Sequence, residues 1–397
     1  MTATPSFDVV VVGLGAVGSA VCHHLARRGV RVAGIDRFRP PHDLGSSHGL
    51  SRITRLALGE GEAFVPLALR SHELWRELEA ASGQTLYRAT GGLCISSAAA
   101  DARPYHGNAN FFQRTVELAR RFNIAHDTLD ADAIRQRFPM FRVGDDEHGY
   151  FERDAGVLYP ERIVAAQLAQ AAQHGAQLRY DECVQSFAEL PSGVDIVTDR
   201  ARLSAQRVVL AAGPWVTRLA GSVPPGRMRV HRQVLYWFAA RELDLFAPER
   251  CPVWIWMHGA GAEGSMYGFP TGDGVAGVKV ATEQYQDDAD PDRVEREVSP
   301  AEIATMHGAH IVGRLEGVTP HAVRTATCLY TCTSDASFVI RPHDASDAIS
   351  VVCACSGHGF KHSAALGESI AQQVLGEATT VSLEAWRDSK SWGRERL

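Results

Sequence analysis

The chain has 397 residues, which at roughly 150 residues per domain predicts two or three domains. Its 40 basic and 46 acidic residues give a formal net charge of −6. Without a basic excess to neutralise phosphates, nucleic acid is excluded as the main partner. Hydrophobic residues make up 45% and charged residues 22% of the chain, a globular composition that excludes a disordered protein.

The 8 cysteines are scattered along the chain and predict buried thiols, not a disulfide framework. Two close pairs, at residues 328/332 and 353/355, lack further ligands at zinc-site spacing, so we expect no metal site. Residues 1–8 lack the pattern of a secretory signal, and no apolar run reaches the roughly 18 residues of a membrane span. We therefore expect a cytoplasmic protein without a membrane partner.

The first elements follow a strand–turn–helix–strand pattern. Residues 7–12 (FDVVVV) are an apolar, β-branched run that predicts a strand covered on both faces. The turn GLGAVG follows at once, residues 19–28 predict a helix, and residues 30–35 predict a second strand that ends at Asp36. This order, with an acidic residue at the expected distance, is the dinucleotide-binding fingerprint of a βαβ unit.

The residues of this fingerprint each have a physical role. Gly13 permits the tight turn, Gly15 lets a pyrophosphate approach the backbone, and Gly18 lets the helix pack closely on the strand. The N-terminus of the helix offers free N–H groups and a partial positive charge to the phosphates. Asp36 would accept hydrogen bonds from a ribose hydroxyl, which favours an adenosine without a 2′-phosphate. The fingerprint alone leaves NAD and FAD open.

Later apolar runs predict that the dinucleotide-binding domain is assembled from separate pieces. Residues 207–213 (RVVLAAG) and 349–354 predict two further strands of the parallel sheet. The second of these leads into the turn SGHG and a helix over residues 363–375, which repeats the strand, glycine turn and helix arrangement. Residues 228–238 and 253–257 predict strands of a second, sheet-rich domain.

The polar loop over residues 37–61 does not fit the next βα unit of an NAD domain. From this loop onward the chain resembles the monomeric sarcosine oxidase and N-methyltryptophan oxidase family, which are covalent flavoproteins of the DAO superfamily. The resemblance is weakest at about residues 95–145 and 285–320. It rests on motifs that occur in the same order along most of the chain: FDVVVVGLGAVGSA, PPHDLGSSHGLSRITR, GEGEAFVPLALRSHELWRELE, GVLYPERIVAAQLAQAAQHGA, RVVLAAGPW, MYGFPTGDGVAGVKV, CLYTCTSDASFVI and SGHGFKHSAALGE.

The resemblance implies an α/β fold with a discontinuous Rossmann-like FAD-binding domain and an antiparallel-sheet substrate domain. We expect residues 1–90, 146–222 and 323–397 in the FAD-binding domain, and residues 91–145 and 223–322 in the substrate domain. The implied reaction is oxidation of the C–N bond of a secondary or N-methyl amino acid that carries a free carboxylate. The imine product hydrolyses, O₂ reoxidises the flavin to give H₂O₂, and the resemblance implies a monomer.

The resemblance also places a covalent flavin link at Cys328. In the family a cysteine in the pattern C-x-Y-T is joined through its sulfur to the flavin 8α-methyl carbon, and residues 328–331 (CLYT) match this pattern. To form this link the thiolate attacks the flavin, which needs a thiol with a lowered pKa or a fixed position. Cys332 is a rival nucleophile outside the motif. His48 and Arg52 match the family loop and, with Arg324, are candidates for lowering this pKa or stabilising the reduced flavin.

Two cations, Arg55 and Lys361, match the family residues that hold the substrate carboxylate. An arginine offers a planar bidentate fork and a lysine a second point charge, and this clamp would present the C–N bond to the flavin. Lys279 matches the lysine that promotes reaction of the reduced flavin with oxygen, where a fixed cation stabilises developing negative charge. Tyr267 and Tyr330 match tyrosines of the substrate cavity, although packing alone also explains such aromatic residues.

The cofactor-binding residues predicted in this way are Gly13, Gly15, Gly18, Asp36, Ser46, His48, Arg52, Gly213, Cys328, Gly357, Gly359 and Lys361.

Glu283 departs from the family pattern, because sarcosine-type members carry a histidine at this position. A carboxylate there would hold a cationic substrate group or disfavour sarcosine, so the substrate stays open. Trp254 and Trp256 either form a strand face or shape a larger substrate cavity.

Three alternatives to the implied reaction remain. They are oxidation of a cyclic imino acid such as pipecolate or proline in a biosynthetic pathway, a dehydrogenase with a protein or quinone acceptor, and a flavin-binding subunit without activity.

Overall fold

The computed structural model describes residues 6–103, 105–190, 193–221, 227–259, 264–344 and 346–387. The strands are β1 (Ser6–Val12), β2 (Val32–Ile35), β3 (Arg52–Thr54), β4 (Tyr87–Ala89), β5 (Gly92–Ser97), β6 (His126–Leu129), β7 (Glu147–Glu152), β8 (Gly156–Leu158), β9 (Gln177–Arg179), β10 (Val184–Leu190), β11 (Gly193–Thr198), β12 (Arg202–Leu210), β13 (Met228–Ala240), β14 (Val253–Met257), β15 (Ser265–Phe269), β16 (Val278–Ala281), β17 (Val318–Thr333), β18 (Val339–His343) and β19 (Ser346–Cys353). The helices are α1 (Ala16–Arg27), α2 (Phe64–Ser82), α3 (Ala98–Asp101), α4 (Phe111–Arg121), α5 (Ala131–Arg137), α6 (Pro160–Gln173), α7 (Val216–Leu219), α8 (Pro300–Met306) and α9 (Ser363–Val374).

The first sheet has a parallel centre in the order β9-β2-β1-β12-β19. Its remaining strands are antiparallel: β11 pairs with β12, β10 with β11, and β18 with β19. Helix α1 follows β1 directly and packs against α6 and α9. The sheet therefore joins segments from both ends and the middle of the chain, as the dispersed apolar runs predicted.

Strand β1 shows why the apolar run at its centre forms a strand covered on both faces. Val9 and Val11 are buried in the core that includes residues of α1 and α9. Val10 and Val12 alternate with them and are buried in a separate core on the opposite face. Because successive side chains of a strand point to opposite faces, only a continuous apolar run can supply both cores.

The second sheet has the order β17-β13-β16-β15-β14-β5-β7-β6, and all its pairs are antiparallel except β14 with β5. Its own core includes Trp254 and Trp256, which are 0% and 1% exposed. Their rings pack against Phe141, and Trp256 Nε1 donates a hydrogen bond of 2.5 Å to Glu147 Oε1. The idea that these tryptophans shape a substrate cavity is therefore wrong, because they fill the core behind the strand.

Strand pairing departs from the predicted domain limits at two places. Residues 147–152, assigned to the FAD-binding domain, form β7 of the second sheet, paired with β5. Residues 323–333, assigned to the same domain, continue β17, which pairs with β13 along its length. The sheet to which each segment belongs is decided by pairing with strands that are distant in the chain. The composition of a segment does not reveal this pairing. The domain limits themselves stay a prediction.

A small sheet, β3-β8-β4, lies in addition to the two large ones and carries Arg52 at the start of β3. Among the described residues, no helix combines the length and the apolar character needed to cross a membrane. All eight cysteines are free thiols.

Candidate active site

A cavity of about 420 Å³ lies where the carboxyl ends of β1, β2, β12 and β19 meet the second sheet. Ligands of open parallel sheets bind at such strand ends. The cavity brings together most of the predicted site residues, which lie far apart in the sequence. Those that line it are Gly13, Gly15, Asp36, Ser46, Arg52, Arg55, Gly213, Tyr267, Tyr330, Gly357, Gly359 and Lys361.

The glycine turn after β1 has the geometry that the fingerprint requires. Gly13 has φ +89°, a conformation that L side chains rarely adopt, and a Cβ there would meet Ala211 O at 2.5 Å. A Cβ on Gly18 would lie 1.8 Å from Gly13 O, so Gly18 lets α1 pack against the turn. Gly15, Ala16 and Val17, at the start of α1, line the cavity, and Ala16 N donates to Ser47 Oγ at 3.0 Å.

Asp36 closes the same end of the cavity, directly after β2. Its two carboxylate oxygens accept hydrogen bonds from Leu14 N at 2.7 Å and from Phe38 N at 2.9 Å. Burial raises the pKa of Asp36, and these two backbone hydrogen bonds oppose the shift. An ionised carboxylate has about four acceptor positions, so Asp36 still has capacity for the hydroxyls of a ribose.

Cys328 lies in the middle of β17, fully buried beside the cavity wall. Arg52 Nη2 is 3.5 Å from its sulfur, and the thiol donates to Ser46 O at 3.6 Å. Burial raises the pKa of the thiol, and Arg52 and Lys279 only partly oppose this effect. Of the two conditions considered for the covalent link, a lowered thiol pKa is therefore not met. The structure provides the other condition, a fixed position.

His48 does not line the cavity and cannot supply positive charge. Burial, together with the charges of Arg52 and Lys279, lowers the pKa of His48 to about 3, so its ring is neutral at pH 7. Its Nε2 atom is buried without a hydrogen-bond partner. His48 therefore adds no positive charge here, and its predicted role toward the thiol or the flavin stays a prediction. Arg52 alone of the two loop residues carries charge at this wall.

Lys279, on β16, also lies outside the cavity lining. Its Nζ donates to Gly49 O at 2.6 Å, Ser51 O at 2.9 Å and Ser51 Oγ at 3.0 Å, and lies 4.4 Å from the ring centre of Phe269. Burial lowers the pKa of Lys279 well below its usual value. Three oxygen acceptors around Nζ oppose this effect, because a protonated amine has three donors and no acceptor. The group lies beneath the loop of Gly49 and Ser51, behind the cavity wall.

Arg55 and Lys361 lie together in the cavity, but a carboxylate holds both of them. Arg55 Nη2 donates to both oxygens of Glu60 at 2.8 Å, and Lys361 Nζ lies 3.2 Å from Glu60 Oε1. Burial opposes ionisation of Glu60, yet the two cations hold its pKa well below the usual value. For Lys361 burial dominates and lowers the pKa to about 8, although Glu60 opposes it.

Glu283, which departs from the family pattern, lines the same cavity as half of a second ion pair. Its Oε2 lies 2.7 Å from His106 Nε2 and accepts a hydrogen bond of 2.9 Å from Tyr285 OH. Burial opposes ionisation of Glu283, but His106 and Tyr285 lower its pKa below the usual value. The carboxylate is therefore ionised and already has a cationic partner within the protein.

Sequence reasoning missed Glu60 and His106, which complete this charged cluster. Glu60 lies in the motif GEGEAF, five residues after Arg55, so an acidic residue next to a proposed clamp was a readable signal. His106 lies in the part of the chain where the resemblance is weakest and had no such signal.

The apolar part of the cavity comes from the second sheet. Tyr267 and Tyr330 face each other with their hydroxyl oxygens 3.2 Å apart, and Ile255 and Phe269 lie beside them.

Two further candidates, Cys332 and Arg324, do not line this cavity, whereas Cys355, a thiol that was not predicted, does. Cys332 lines a second cavity, of about 370 Å³, and Cys355 lines the first. Arg324 is exposed over the ring of Trp237, at 5.3 Å from its centre. It does not line the cavity, and its suggested role at the flavin stays a prediction.

The sequence profile described as FAD dependent oxidoreductase matches residues 8–373. The chain belongs to this family. It is 37% identical to the monomeric sarcosine oxidase of Streptomyces avermitilis, with 94% of each chain covered. It is 32% identical to the monomeric sarcosine oxidase of Bacillus sp. strain B-0618, covering 93% of this chain and 92% of the relative. The N-methyl-L-tryptophan oxidase of Yersinia pestis is 28% identical and covers 96% of this chain and 98% of its own.

Solved structures agree with this assignment at the level of the fold. NikD, an amino acid oxidase of nikkomycin biosynthesis, superposes with a TM-score of 0.81 at 24% identity, covering 97% of this chain and 98% of its own. Glycine oxidase from Geobacillus kaustophilus gives 0.75 at 20% identity, covering 98% and 99%. The predicted fold class is therefore confirmed.

The family is FAD-dependent, and the residues of the cavity fit this cofactor. Asp36 and the glycine turn after β1 would hold the adenosine and pyrophosphate end. At the other end Ser46 Oγ is buried in the cavity wall without a hydrogen-bond partner, while the backbone oxygen of Ser46 accepts from Arg52 Nη2 and Cys328 Sγ. A polar ring system placed there would satisfy this orphaned hydroxyl.

Proposed function

We propose that this protein is an FAD-dependent oxidase of the C–N bond in a secondary or N-methyl amino acid, and that it acts as a monomer. The relatives at 37% and 32% identity, both named monomeric sarcosine oxidase, support this proposal. One structural observation carries it: Arg55 and Lys361, two buried cations, line the same cavity as the dinucleotide-binding residues.

The two cations are suited to the carboxylate of an amino acid. Arg55 has the planar fork that binds a carboxylate through two parallel hydrogen bonds, and Lys361 adds a point charge from another segment. Each is now paired with Glu60, so an incoming carboxylate competes with Glu60 for the same donors. A substrate held in this way has a fixed orientation, and its carbon beside the amine points along the cavity.

FAD supplies the redox chemistry when bound, since it accepts two electrons and a hydrogen from the substrate. The substrate C–N bond becomes a C=N bond when that hydrogen leaves carbon and a proton leaves nitrogen. Water then hydrolyses the imine, and O₂ takes the two electrons with two protons to give H₂O₂. Within the protein, Tyr267, Tyr330, Ile255 and Phe269 would pack against the substrate on one side of the cavity, and the clamp would hold its carboxylate. No side-chain base is needed if the amine binds uncharged.

We further propose that Cys328 forms the covalent link to the flavin. The observation in favour is its fixed position, with Arg52 Nη2 at 3.5 Å and Ser46 O at 3.6 Å, both residues being part of the cavity wall. Arg52 favours the thiolate against the effect of burial, and a bound flavin ring would bring the electrophilic carbon to it.

Lys279 is proposed to promote the reaction of the reduced flavin with O₂. Its Nζ contacts Gly49 and Ser51, and Gly49 adjoins Arg52 through the loop, so a charge on Lys279 acts across a single layer of protein. In a low-dielectric site such a charge stabilises an electron transferred to oxygen.

The test is anaerobic mixing of the purified, flavin-loaded protein with candidate substrates. Sarcosine, larger N-methyl amino acids, pipecolate and proline are compared, each with its unmethylated or ring-opened amine as control. Loss of the visible flavin absorbance identifies a substrate, and admission of O₂ should restore it with one H₂O₂ per substrate. If none of the secondary amino acids reduces the flavin, the proposed function is wrong. If reduction occurs without H₂O₂ formation in air, the protein is a dehydrogenase with another acceptor.

A further inference from the structure

His106 lies in the cavity because its backbone turns the ring inward. Tyr105 and Asn108 form a two-way backbone hydrogen-bonded bridge at 2.9 and 3.0 Å, and His106 between them has φ +47°. This left-handed conformation is uncommon outside glycine, so the loop holds the ring in one direction. The side chain is 5% exposed and lines the cavity together with Arg55 and Lys361.

The two ring nitrogens of His106 are in different situations. Nε2 lies 2.7 Å from Glu283 Oε2 and must carry a proton, because an ionised carboxylate only accepts hydrogen bonds. Nδ1 is buried and has no hydrogen-bond partner, with Glu60 Oε1 3.5 Å away. Glu60 Oε1 at this distance is an ion-pair partner without the geometry of a hydrogen bond, so the Nδ1 proton is available to a ligand oxygen that comes closer.

Three cationic groups converge on the same carboxylate oxygen. Glu60 Oε1 lies 2.8 Å from Arg55 Nη2, 3.2 Å from Lys361 Nζ and 3.5 Å from His106 Nδ1. Burial disfavours a charged His106, but Glu283 and Glu60 outweigh it and raise the pKa to about 9. The cluster therefore has three cations against the carboxylates of Glu60 and Glu283. One positive charge remains uncompensated, which suits a ligand with a single negative charge.

We propose that His106 is a third ligand of the substrate carboxylate, donating from Nδ1 beside Arg55 and Lys361, and that Glu283 is the positioning residue that holds its ring. This inference rests on the proposed function, whose substrate is an amino acid. It gives Glu283 a role other than contact with a cationic substrate, because its acceptor capacity is directed to His106 and Tyr285. The substrate predicted is a monoanion at the carboxylate end, with an uncharged amine.

Propionate is a suitable probe, since it has the carboxylate but no amine to oxidise. Its dissociation constant is measured from the visible absorbance of the bound flavin in the wild type, His106→Ala, His106→Asn and Glu283→Gln. We expect His106→Ala to weaken binding at least tenfold at neutral pH. His106→Asn, which keeps an N–H donor without the charge, should recover part of the loss. His321→Ala, an exposed histidine on β17, is the control and should bind propionate like the wild type.

The pH profile separates a direct role from a structural one. In the wild type, propionate affinity should fall as the pH rises, with one step from Lys361 and a higher one from His106. His106→Ala should lack the higher step, and Glu283→Gln should move it to lower pH, because it removes the carboxylate that stabilises the imidazolium. The ionisable and charged groups that face His106 are Glu60, Glu283, Arg55, Lys361, Tyr105 and His358.

The outcomes distinguish this inference from the proposed function. If His106→Ala and His106→Asn both bind propionate like the wild type with both steps intact, His106 is not a ligand. If these variants lose affinity but no secondary amino acid reduces the wild-type flavin, the carboxylate site stands and the proposed reaction is wrong. Far-ultraviolet circular dichroism and flavin content of each variant identify a loss of affinity that arises from unfolding, which would also overturn the assignment.

Discussion

Arg55 Nη2 lies 2.8 Å from each carboxylate oxygen of Glu60, and both side chains are buried in the wall of the FAD cavity. Glu60 thus holds the donors that an amino acid carboxylate would use. Glu60 compensates the charge of Arg55 when no substrate is bound, and it competes with the substrate carboxylate for the same donors.

This relationship predicts opposite effects of Glu60→Gln on stability and on ligand binding. Removing one partner of a buried ion pair leaves an uncompensated charge and typically costs about 3 to 5 kcal/mol. We expect a loss of this size in the free energy of unfolding, measured by denaturant titration. Propionate should bind at least tenfold more tightly, because it replaces the missing charge. Asp132→Asn, which removes an exposed partner of Arg135, should change neither quantity. Unchanged stability of Glu60→Gln would contradict the buried pair.

Gly18→Ala should impair FAD loading, because its Cβ would lie 1.8 Å from Gly13 O and displace the turn after β1. We expect a protein purified with less than half the flavin of the wild type and with a lower melting temperature. Gly308→Ala is the matched control, since a Cβ at this position meets nothing within 4 Å and its φ is not in the left-handed region. Equal flavin content in Gly18→Ala and Gly308→Ala would rule out close packing at Gly18.

Local patterns predicted much of the fold, and long-range pairing decided the rest. The strand, glycine turn and helix around Gly13 and Gly18 are encoded within about thirty residues, so periodicity and spacing suffice to find them. The position of β7 in the second sheet could not be predicted in this way. Its partner β5 lies about fifty residues earlier, and nothing within the segment indicates that partner.

Some residues of the candidate site could likewise be predicted from the sequence, and others could not. Arg55 and Lys361 were predicted by resemblance, and the fold brings them to one carboxylate although Lys361 and Glu60 are 301 residues apart. His106 was not predictable, because its role depends on a left-handed turn and on an ion pair with Glu283, 177 residues away. The pKa shifts were also hidden from the sequence: burial, which raises the pKa of Cys328 and lowers that of His48, exists only in the folded chain.

Cys328→Ser should release the flavin from acid-precipitated protein. The wild-type pellet should be yellow and the variant pellet colourless, with the flavin in the supernatant. Cys355→Ser and Cys332→Ser are controls, because Cys355 lines the same cavity and Cys332 lies four residues further along β17. Both control pellets should stay yellow. A colourless wild-type pellet would exclude a covalent link, and a colourless Cys355→Ser pellet would move it to that thiol.

Carboxylate affinity should fall as the pH rises through about 8, because burial lowers the pKa of Lys361 to about 8 from its usual 10.5. Below this pH the ammonium is charged and contributes to the clamp, and above it the neutral amine contributes only a weak hydrogen bond. Propionate titrations across neutral and alkaline pH measure the step. Lys361→Met should bind propionate weakly at neutral pH and lack this step. A wild-type profile with no step near pH 8 would contradict the lowered pKa of Lys361.

Lys279→Met should separate the two halves of the catalytic cycle. Lys279 lies behind the cavity wall with its Nζ bonded to Gly49 and Ser51, so its removal should leave substrate binding and anaerobic flavin reduction within a few-fold of the wild type. Reoxidation by O₂ should slow by about 10²-fold, the typical effect of removing one group that stabilises developing negative charge. Stopped-flow absorbance of the flavin measures both steps separately.

The control for this variant is Arg324→Met, which removes a different cation over the same aromatic ring. Arg324 lies 5.3 Å and Lys279 5.2 Å from the ring centre of Trp237, but Arg324 is exposed, whereas Lys279 is buried with its Nζ bonded to Gly49 and Ser51. Loss of packing against Trp237 would affect both variants alike, whereas loss of a charge near the flavin affects Lys279→Met alone. Wild-type reoxidation in Lys279→Met would exclude the role, and slow reoxidation in both variants would assign the effect to Trp237.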